Sequence, residues 1–599
     1  MKIVKLILKT LIWVGAVLSI VLFFTVNWLL SVWSNLTMDE LVYHLTTSLE
    51  GTNVTMIRDY IVFYGIPEFV CVLSLVIVLI ALKKKKKRVR WFYLATFLGA
   101  VALLLYSFFY FDNRMGFVKY LKAQYIPSTF IEDNYVAPAD VEITFPEKKK
   151  NVIYIYLESM EMTYTDREDG GAFQENIIPE LVDLAREGED FSGDSDILNG
   201  GISLNGSTWT MGAMFAQSTG LPLKTGGVNA NYISSQESMY PSVKSIGEVL
   251  KDGGYTNELL LGSNASFGGR RLFYSGHGDY FMYDYVYAQE QKIIPEDYYV
   301  FWGFEDEKLF QFAREEATRL SKESAPFNLT LLTVDTHFED GYVCRLCEKK
   351  YYNGDQYSNC MACSSKQVND FINWLKEQDF YKDTVVVLCG DHPTMDSDFC
   401  LNVPKSYQRK VYTAILNSDV EPVNGDQYRE YSTMDMFPTT LAAMGIEIEG
   451  DRLGLGTNIY SDKETLIEKY GTEYCNEEIE KKSDFMNELN SIELNDSLVA
   501  SIGEEATITP VDKEDGLEID FKALAVFKDV DGFKMLEAEV QRPGEEEKVV
   551  VSLDGYNEEG DYYYNSEMIK DYKADNAEIV VYFIDKDDNR YVLKKYSSK

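Results

Sequence analysis

Three long apolar runs near the N-terminus constrain the fold of this chain more than any other feature. They cover residues 11–30, 61–82 and 91–111. A helix needs about 20 mostly apolar residues to cross the hydrocarbon core of a bilayer. No small-residue cleavage pattern follows the first run, which argues against a removable signal peptide. The sequence therefore predicts an anchor of three transmembrane helices over residues 1–111.

Basic residues predict the orientation of this anchor. Lysines 2, 5 and 9 precede the first run, and lysines 83–87 with Arg88 and Arg90 fill the short loop between the second and third. Short cytoplasmic loops carry an excess of Lys and Arg. We therefore expect a multi-pass membrane protein in which everything after residue 111 lies outside the cytoplasm.

The chain after a connecting segment at 112–150 alternates between strand-like and helix-like patterns. Apolar, β-branched runs occupy 151–157, 327–334 and 384–390, and helical patterns occupy 177–186, 367–378 and 433–444. Runs that are apolar on both faces are typical of buried parallel strands. Strands that alternate with helices form α/β sheets. We predict an α/β catalytic domain over residues 151–470.

Polar residues follow these predicted strands at the point where each strand ends. Glu158 follows the first, Asp335 and His337 follow the second, and Asp391 and His392 follow the third. The carboxyl ends of parallel strands are where ligands bind in such sheets. Carboxylate oxygens with an imidazole suit Mn²⁺, Mg²⁺ or Zn²⁺. The sequence therefore predicts a divalent metal site.

A Gly-Ser-Thr-Trp-Thr segment at 206–210 leads into a helical pattern of small residues. By itself such a segment is typical of a helix N-cap. Beside a metal, however, one of its hydroxyl groups has a lowered pKa and can act as a nucleophile. Thr208 and Thr210 are the two candidates.

The motifs together carry a resemblance to a known family. They are Asn-Val-Ile-Tyr-Ile-Tyr-Leu-Glu-Ser at 151–159, the Gly-Ser-Thr turn, Val-Asp-Thr-His at 334–337, Gly-Asp-His at 390–392 and Arg-Leu-Gly-Leu-Gly at 452–456. In this order they resemble the lipoteichoic acid synthase and phosphoglycerol transferase group of the sulfatase and alkaline-phosphatase superfamily. The resemblance covers about residues 150–465.

The resemblance implies one divalent cation, most simply Mn²⁺, held by Glu158, Thr208, Asp391 and His392. It implies Thr208 as the nucleophile, with Thr210 as the competing candidate. It also implies that His337 contacts the substrate phosphate or the leaving oxygen. The Cys-x-Pro-Ser-Arg motif of sulfatases is absent, so hydrolysis of sulfate esters is not expected.

One segment departs from the pattern of lipoteichoic acid synthases. Gly268 stands where those enzymes carry a histidine, so Arg270 or His277 would supply the phosphate contact instead. Both side chains can donate hydrogen bonds to phosphate oxygens. The segment is more similar to phosphoglycerol transferases that decorate glycans, which leaves the acceptor open.

These implications predict an enzyme of the bacterial plasma membrane that moves a glycerophosphoryl group from phosphatidylglycerol to an envelope glycan or a teichoic-acid acceptor. A covalent phospho-threonine intermediate is expected. The alternatives are a phosphoethanolamine transferase, a headgroup hydrolase and, from another class, a catalytically inactive envelope-binding module. Nucleic acid is excluded as a partner because the chain carries a net charge of −38, which a phosphate backbone repels.

Four cysteines form two Cys-x2-Cys pairs, at Cys344 with Cys347 and at Cys360 with Cys363. This spacing is typical of a structural zinc site, but two disulfides are equally consistent with an exported domain.

The composition changes after residue 470. We predict a charged helical linker over 471–497 and a small acidic β-sandwich-like domain over 498–599, because short apolar or alternating runs there are divided by Asp and Gly turns.

Overall fold

The structure is a computed structural model that describes most of the chain. The described residues are 2–33, 36–47, 58–85, 89–224, 239–347, 354–396, 398–490, 506–522, 533–543, 545, 548–556, 562–586 and 588–597. The chain divides into two compact units, Met1–Ala230 with Lys244–Ser483 and Asn231–Val243 with Asp484–Lys599.

Long apolar helices form the first part of the larger unit. The helices are α1 (Lys2–Val32), the short α2 (Met38–Thr46), α3 (Ile66–Lys84) and α4 (Val89–Met115). A π-helical turn at Ile61–Gly65 extends α3 towards the N-terminus. The segments Ile3–Val32, Arg58–Lys84 and Val89–Met115 are long and apolar enough to cross a membrane. The three predicted spans are confirmed, and each of these segments is longer than its apolar run.

Helix α2 lies in the loop between the first two spans, where the sequence analysis predicted no element. A capping box starts it: Thr37 Oγ1 accepts the Glu40 N–H at 3.3 Å, and the Glu40 carboxylate accepts the Thr37 N–H at 3.5 Å. The Tyr43 side chain is fully buried, and its hydroxyl donates to the Gly268 carbonyl at 2.6 Å. This contact holds α2 against the α/β domain.

The connecting segment forms α5 (Phe117–Ala123), α6 (Phe130–Asn134) and the short strand β1 (Ile143–Thr144). Val136 and Gly454 exchange two backbone hydrogen bonds of 2.9 and 2.8 Å. The segment is therefore part of the larger unit.

A seven-stranded sheet forms the centre of the α/β domain, in the order β3-β8-β7-β2-β6-β4-β5. Its strands are β2 (Asn151–Leu157), β3 (Gly200–Gly201), β4 (Thr256–Leu261), β5 (Phe281–Tyr283), β6 (Phe327–Leu332), β7 (Thr384–Gly390) and β8 (Val411–Leu416). Strands β7, β2, β6, β4 and β5 are parallel, and β8 runs antiparallel to β7.

Helices cover both faces of this sheet. They are α7 (Pro179–Glu187), α8 (Thr210–Thr219), α9 (Ile246–Asp252), α10 (Arg270–Gly276), α11 (Tyr285–Glu290), α12 (Asp306–Leu320), α13 (Gln356–Lys376) and α14 (Met436–Ala443). On one face Ile153 and Ile155 of β2 join a core with α7, α12 and α13. On the other, the Tyr154 hydroxyl donates to Gln217 of α8 at 2.7 Å. The predicted α/β fold is confirmed.

Short elements complete the larger unit. They are β9 (Glu447–Ile448), β10 (Arg452–Leu453), β11 (Gly456–Thr457), α15 (Leu466–Tyr470) and α16 (Thr472–Glu480). Strand β9 pairs antiparallel with β1.

The smaller unit contains helix α17 (Asp484–Leu489) and two four-stranded antiparallel sheets. The strands are β12 (Thr507–Lys513), β13 (Gly516–Lys522), β14 (Phe533–Gln541), β15 (Lys548–Ser552), β16 (Gly555–Tyr556), β17 (Tyr562–Tyr564), β18 (Glu578–Asp585) and β19 (Arg590–Ser597). Phe521 of one sheet and Val540 and Phe583 of the other share one core, as in a sandwich. The strand-rich C-terminal region is confirmed. Residues 491–505, where the predicted linker meets this domain, lie outside the described residues.

Candidate active site

Three predicted ligands meet at the carboxyl edge of the central sheet. Glu158 directly follows β2, and Asp391 and His392 directly follow the neighbouring β7. One ligand atom from each lies within 4.8 Å of the other two, and all three residues are buried. The parallel pairing of β2 with β7 brings these residues together although more than 230 positions separate them in the chain.

Local hydrogen bonds orient the two carboxylates. The backbone N–H groups of Ser159 and His392 donate to Asp391 Oδ1 at 2.8 and 2.7 Å, and the Ser159 hydroxyl donates to Glu158 Oε1 at 2.8 Å. Asp391 Oδ2 is buried and has no hydrogen-bond partner among the described residues. It lies 3.4 Å from His392 Nε2. A buried carboxylate oxygen without a donor is costly unless a cation binds it.

His392 directs its ring nitrogen Nε2 towards the same two carboxylates. His392 Nδ1 lies 3.0 Å from the Pro393 carbonyl, which can only accept, so Nδ1 carries the proton. Nε2 lies on the side of the carboxylates, 3.7 Å from Glu158 Oε1. A hydrogen bond that fixes the tautomer in this way is usual for metal-binding histidines.

Burial raises the pKa of both carboxyl groups. The pKa of Asp391 rises to about 7 because the group is removed from solvent. Burial also raises the pKa of Glu158, and the neighbouring Asp391 charge raises it further. Two buried carboxylates beside an imidazole are a donor set that fits a hard or borderline divalent cation.

The structure brings Thr210, not Thr208, to these ligands. Thr210 Oγ1 lies 3.4 Å from Glu158 Oε2 and 3.3 Å from His392 Nε2. Thr208 Oγ1 instead lies 3.5 Å from Thr37 Oγ1. The buried Trp209 is the N-cap of α8, so the helix begins only at Thr210. The geometry therefore favours the candidate that the resemblance ranked second.

His337 and Arg270 line a small cavity together with Glu158 and Thr210. His337 Nδ1–H donates to the Phe338 carbonyl at 2.6 Å, and burial lowers the pKa of the ring. The guanidinium of Arg270 donates through Nη2 to Ser263 Oγ at 3.2 Å and to the Asn264 carbonyl at 3.1 Å. Its Nε has no acceptor among the described residues.

Two glycines explain how Arg270 reaches the site. Gly268 and Gly269 adopt φ values of 65° and 79°, which favour glycine. The chain turns there, and α10 begins at Arg270. Burial lowers the pKa of Arg270 to about 10, so the side chain remains a cation at neutral pH.

The structure does not bring His277 into this group. Its ring Nδ1 lies 2.9 Å from Glu248 Oε2, and the ring packs on Phe273 with centroids 4.6 Å apart. His277 lines neither the small cavity nor the larger one beside it. It lies at the C-terminal end of α10, and about two turns of helix separate it from the Arg270 end.

A larger cavity of about 410 Å³ opens from the site towards the membrane helices. Most of its wall is apolar, and half of its lining residues come from α1, α2 and the segments that follow them. Its lining includes Trp28, Trp33, Leu41, His44, Tyr60, Trp209, Thr210, Arg270, Trp302 and His337. The sequence analysis missed every contribution from the loop after α1.

His44 is the most informative of these missed residues. Burial, with His392 nearby, lowers its pKa to about 4. A neutral imidazole from the loop between two spans thus lines the cavity beside the ligand group. Its isolated position in a polar loop provided no sequence signal.

The four paired cysteines also lie together. Cys344 and Cys347 belong to the loop after β6, and Cys360 and Cys363 belong to the first turns of α13. No disulfide joins any cysteine that the structure describes.

Comparison with known proteins agrees with this architecture. Residues 150–446 match the sulfatase family model. Over these residues the chain is similar to the sulfatase family. Phosphoglycerol transferase I of Salmonella choleraesuis strain SC-B67 is 34% identical over 326 residues, and the match covers 53% of this chain and 40% of that protein. The protein of the same name from Salmonella typhimurium strain LT2 matches equally well. The chain thus spans less than half the length of these relatives.

Solved structures with related folds were also found. An alkaline-phosphatase superfamily protein from Vibrio parahaemolyticus has a TM-score of 0.41 and 20% identity, with 73% of this chain and 88% of that chain covered. The lipoteichoic acid synthase LtaP of Listeria monocytogenes has a TM-score of 0.38 and 21% identity, with 56% and 82% covered. The lipooligosaccharide phosphoethanolamine transferase A of Neisseria meningitidis has a TM-score of 0.42 and 14% identity, with 73% and 84% covered.

The predicted location in a membrane is confirmed. Three helices that are long and apolar enough to cross a membrane precede the sulfatase-like domain. The chain is a membrane protein with its sulfatase domain outside the cytoplasm.

Proposed function

We propose that the chain is a membrane-anchored, metal-dependent phosphotransferase that moves a glycerophosphoryl group from phosphatidylglycerol to an envelope acceptor. One observation carries the proposal: the Thr210 hydroxyl lies between a buried ligand group and an apolar cavity that reaches the membrane helices. The name of the Salmonella relatives supports glycerophosphoryl as the transferred group.

A lipid donor fits the cavity. Its apolar wall includes Trp28 and Leu29 near the outer end of α1, and its polar end includes Thr210, Arg270 and His337. A phospholipid has the same arrangement, since its acyl chains are apolar and its phosphodiester, at the other end, is polar and charged. The acyl chains would lie along α1 and the phosphate would meet Thr210.

Glu158, Asp391 and His392 would hold one divalent cation, for which Mn²⁺ is our first choice. Bound there, the cation would lower the pKa of a neighbouring hydroxyl and neutralise phosphate oxygens. Thr210 Oγ1 would attack phosphorus. Glu158 Oε2, which lies 3.4 Å from Thr210 Oγ1, would accept the hydroxyl proton. The new bond would be threonine oxygen to phosphorus, the bond to the diacylglycerol oxygen would break, and the released oxygen would take up the proton that left Thr210.

Arg270 and His337 would take different tasks. Arg270 remains charged at neutral pH and has an unused Nε–H, so it suits contact with a phosphate oxygen. His337 has a lowered pKa and donates its Nδ1–H to a carbonyl, so its Nε2 carries a lone pair. That lone pair suits removal of the proton from an acceptor hydroxyl when it attacks the phospho-threonine.

The test uses the full chain in vesicles that contain phosphatidylglycerol with a labelled headgroup, or phosphatidylethanolamine labelled in the same way. Diacylglycerol release from phosphatidylglycerol with Mn²⁺, and none with a chelator, is expected. Preferred release from phosphatidylethanolamine would replace the donor assignment with the phosphoethanolamine transferase alternative. No release from either lipid, with the metal bound, would overturn the proposal in favour of a binding module.

A second arm separates transfer from hydrolysis. A soluble glucan or a glycerol-phosphate oligomer is added, and the label should appear on that acceptor. Label found only as free glycerol phosphate, at the same rate with and without acceptor, would identify a headgroup hydrolase.

A further inference from the structure

Four cysteine side chains lie close together where the loop after His337 meets helix α13. Cys344, Cys347, Cys360 and Cys363 are all buried, with at most 8% of any residue exposed. Cys344 Sγ lies 3.6 Å from Cys347 Sγ and 3.7 Å from Cys363 Sγ. The sulfurs of Cys344, Cys347 and Cys363 all lie within 4.8 Å of one another, and Cys360 interacts with the Cys347 side chain at the edge of this group.

The sulfur spacing distinguishes the two interpretations that the sequence left open. Four sulfur ligands at about 2.3 Å from a zinc ion stand about 3.8 Å apart at the corners of a tetrahedron. A disulfide needs sulfurs about 2.05 Å apart and joins each sulfur to one partner. Here Cys344 is nearly equidistant from two sulfurs, which matches a corner of a tetrahedron and no pairing into disulfides.

Hydrogen-bond donors point at the sulfurs as they do around zinc-bound thiolates. Gln367 is buried one turn after Cys363, and its Nε2–H donates to Cys363 Sγ at 3.5 Å and towards Cys344 Sγ at 4.0 Å. The backbone N–H of Leu346 donates to the Cys344 side chain. The Cys347 N–H closes the turn on the Cys344 carbonyl at 3.3 Å. Such donors stabilise negative sulfur and orient it.

We propose that these four cysteines bind one structural Zn²⁺ ion as a tetrathiolate site, separate from the centre at Glu158, Asp391 and His392. The ion would form four Zn–S bonds, and the thiol protons would pass to solvent. Four protein ligands leave no open position, so the role is structural. The site goes beyond the proposed transferase activity and does not depend on it.

The zinc would fasten the loop after β6 to helix α13. Gly341, at φ 64°, leaves room for close approach, since a Cβ there would lie 2.7 Å from the Asp335 carbonyl and 2.9 Å from Cys360 Cβ. The Tyr342 N–H donates to that Asp335 carbonyl at 2.7 Å. The loop that carries His337 is therefore packed directly against a zinc ligand.

The first experiment counts zinc in the full chain, purified in detergent, with Glu158→Gln and Asp391→Asn introduced together so that the centre at the strand ends is disabled. One zinc per chain is expected to survive dialysis against a mild chelator. Adding Cys363→Ser should release it, whereas adding Cys475→Ser, at a buried cysteine outside the group, should not. A zinc content of zero before the cysteine change, or equal loss with both serine variants, would overturn the site.

The second experiment does not need a folded variant. The unmodified chain is unfolded in denaturant with a strong chelator and without reductant, and its thiols are counted. The tetrathiolate site predicts that all eight cysteines react. Four reactive thiols would show that two disulfides occupy the group and would contradict the proposal. Co²⁺ exchanged into the native chain should also give thiolate-to-cobalt charge-transfer absorption, and its absence would count against the site in the same way.

Discussion

Thr210 is the side chain on which the proposed chemistry depends. Its hydroxyl lies 3.3 Å from His392 Nε2 and 3.4 Å from a Glu158 oxygen, and it starts helix α8. Backbone N–H groups of a first helical turn also favour a negative phosphate group. The proposed nucleophile therefore lies both at the start of a helix and beside the proposed ligand group.

We expect Thr210→Ala to lower the rate of diacylglycerol release by a factor on the order of 10³ or more, since removal of a nucleophile abolishes the covalent route. Thr208→Ala is the matched control and should retain activity within a factor of about 5, because the Thr208 hydroxyl lies 3.5 Å from the Thr37 hydroxyl and not beside the proposed ligands. Initial rates on labelled phosphatidylglycerol provide the measurement. An inactive Thr208→Ala with an active Thr210→Ala would reverse the assignment.

Glu161 stabilises the loops on both sides of the ligand group. It is fully buried and forms a bidentate ion pair with Arg409, with Arg409 Nε 2.7 Å from Glu161 Oε2. It also accepts the Thr394 N–H at 2.9 Å, just after the ligand His392. Burial alone would raise the pKa of Glu161, but Arg409 lowers it below the usual value.

Glu161→Gln should lower the free energy of unfolding by about 3–5 kcal/mol, because it leaves the Arg409 charge buried and unpaired. A lowered pKa stabilises the fold above pH 4.5, and this contribution is lost as the pH falls through the folded-state pKa. Denaturant unfolding at pH 7 and below pH 4 should show the variant's deficit shrinking in acid. Asp252→Asn, in the exposed pair with Lys244, should change stability by less than about 1 kcal/mol. A deficit independent of pH would contradict the ion-pair account.

The proposed ligands Glu158, Asp391 and His392 could be predicted from sequence because they lie in the first two positions after an apolar strand. The nucleophile could not be fixed in the same way. Thr208 and Thr210 differ by two positions, and the residue pattern does not say at which of them α8 begins. Trp209, buried as the N-cap, decides this through tertiary packing.

At the scale of elements, helix α2 connects the membrane helices with the site. Its Tyr43 packs against Trp209 with ring centroids 5.4 Å apart and bonds the Gly268 carbonyl. Trp209 precedes Thr210, and Gly268 precedes Arg270 by two residues. A short helix outside the sulfatase domain thus braces both sides of the cavity. Strands and long helices were predictable from periodicity, whereas nine residues of α2 in a polar loop were not.

Tyr43→Phe removes the hydrogen bond to the Gly268 carbonyl and should destabilise the packing of α2 on the site by about 1 kcal/mol, the value of one buried hydrogen bond. We expect kcat/KM for vesicle-bound phosphatidylglycerol to fall roughly fivefold. Cleavage of a soluble phosphodiester without acyl chains should change much less, because it does not use the apolar wall. Tyr125→Phe, at a highly exposed side chain, is the control. Equal losses on both substrates would show that α2 acts on the ligand group and not on lipid binding.

At the scale of the whole molecule, the chain contains two units with separate cores. The proposed centre at Glu158, Asp391 and His392 lies in the larger unit. Ligand binding stabilises only the cooperative unit that holds it, by about 2.7 kcal/mol at a hundredfold excess over Kd.

Calorimetry of the full chain should therefore show two transitions, of which only one shifts upwards with added Mn²⁺. In the variant with Glu158→Gln and Asp391→Asn, neither should shift. Equal shifts of both transitions with Mn²⁺ would show that the units unfold together or that the smaller unit binds the ion as well.

The central claim is a glycerophosphoryl-threonine at residue 210, and mass spectrometry of the trapped protein tests it most directly. The full chain is incubated with phosphatidylglycerol and Mn²⁺ without acceptor, quenched in acid and digested. Trypsin leaves both threonines in one peptide, since no Lys or Arg lies between Arg186 and Lys224, whereas chymotrypsin can cut after Trp209 and separate them. The account predicts the glycerophosphoryl mass on the fragment that contains Thr210. The same mass on Thr208, or diacylglycerol release with no adduct on either threonine, would contradict it.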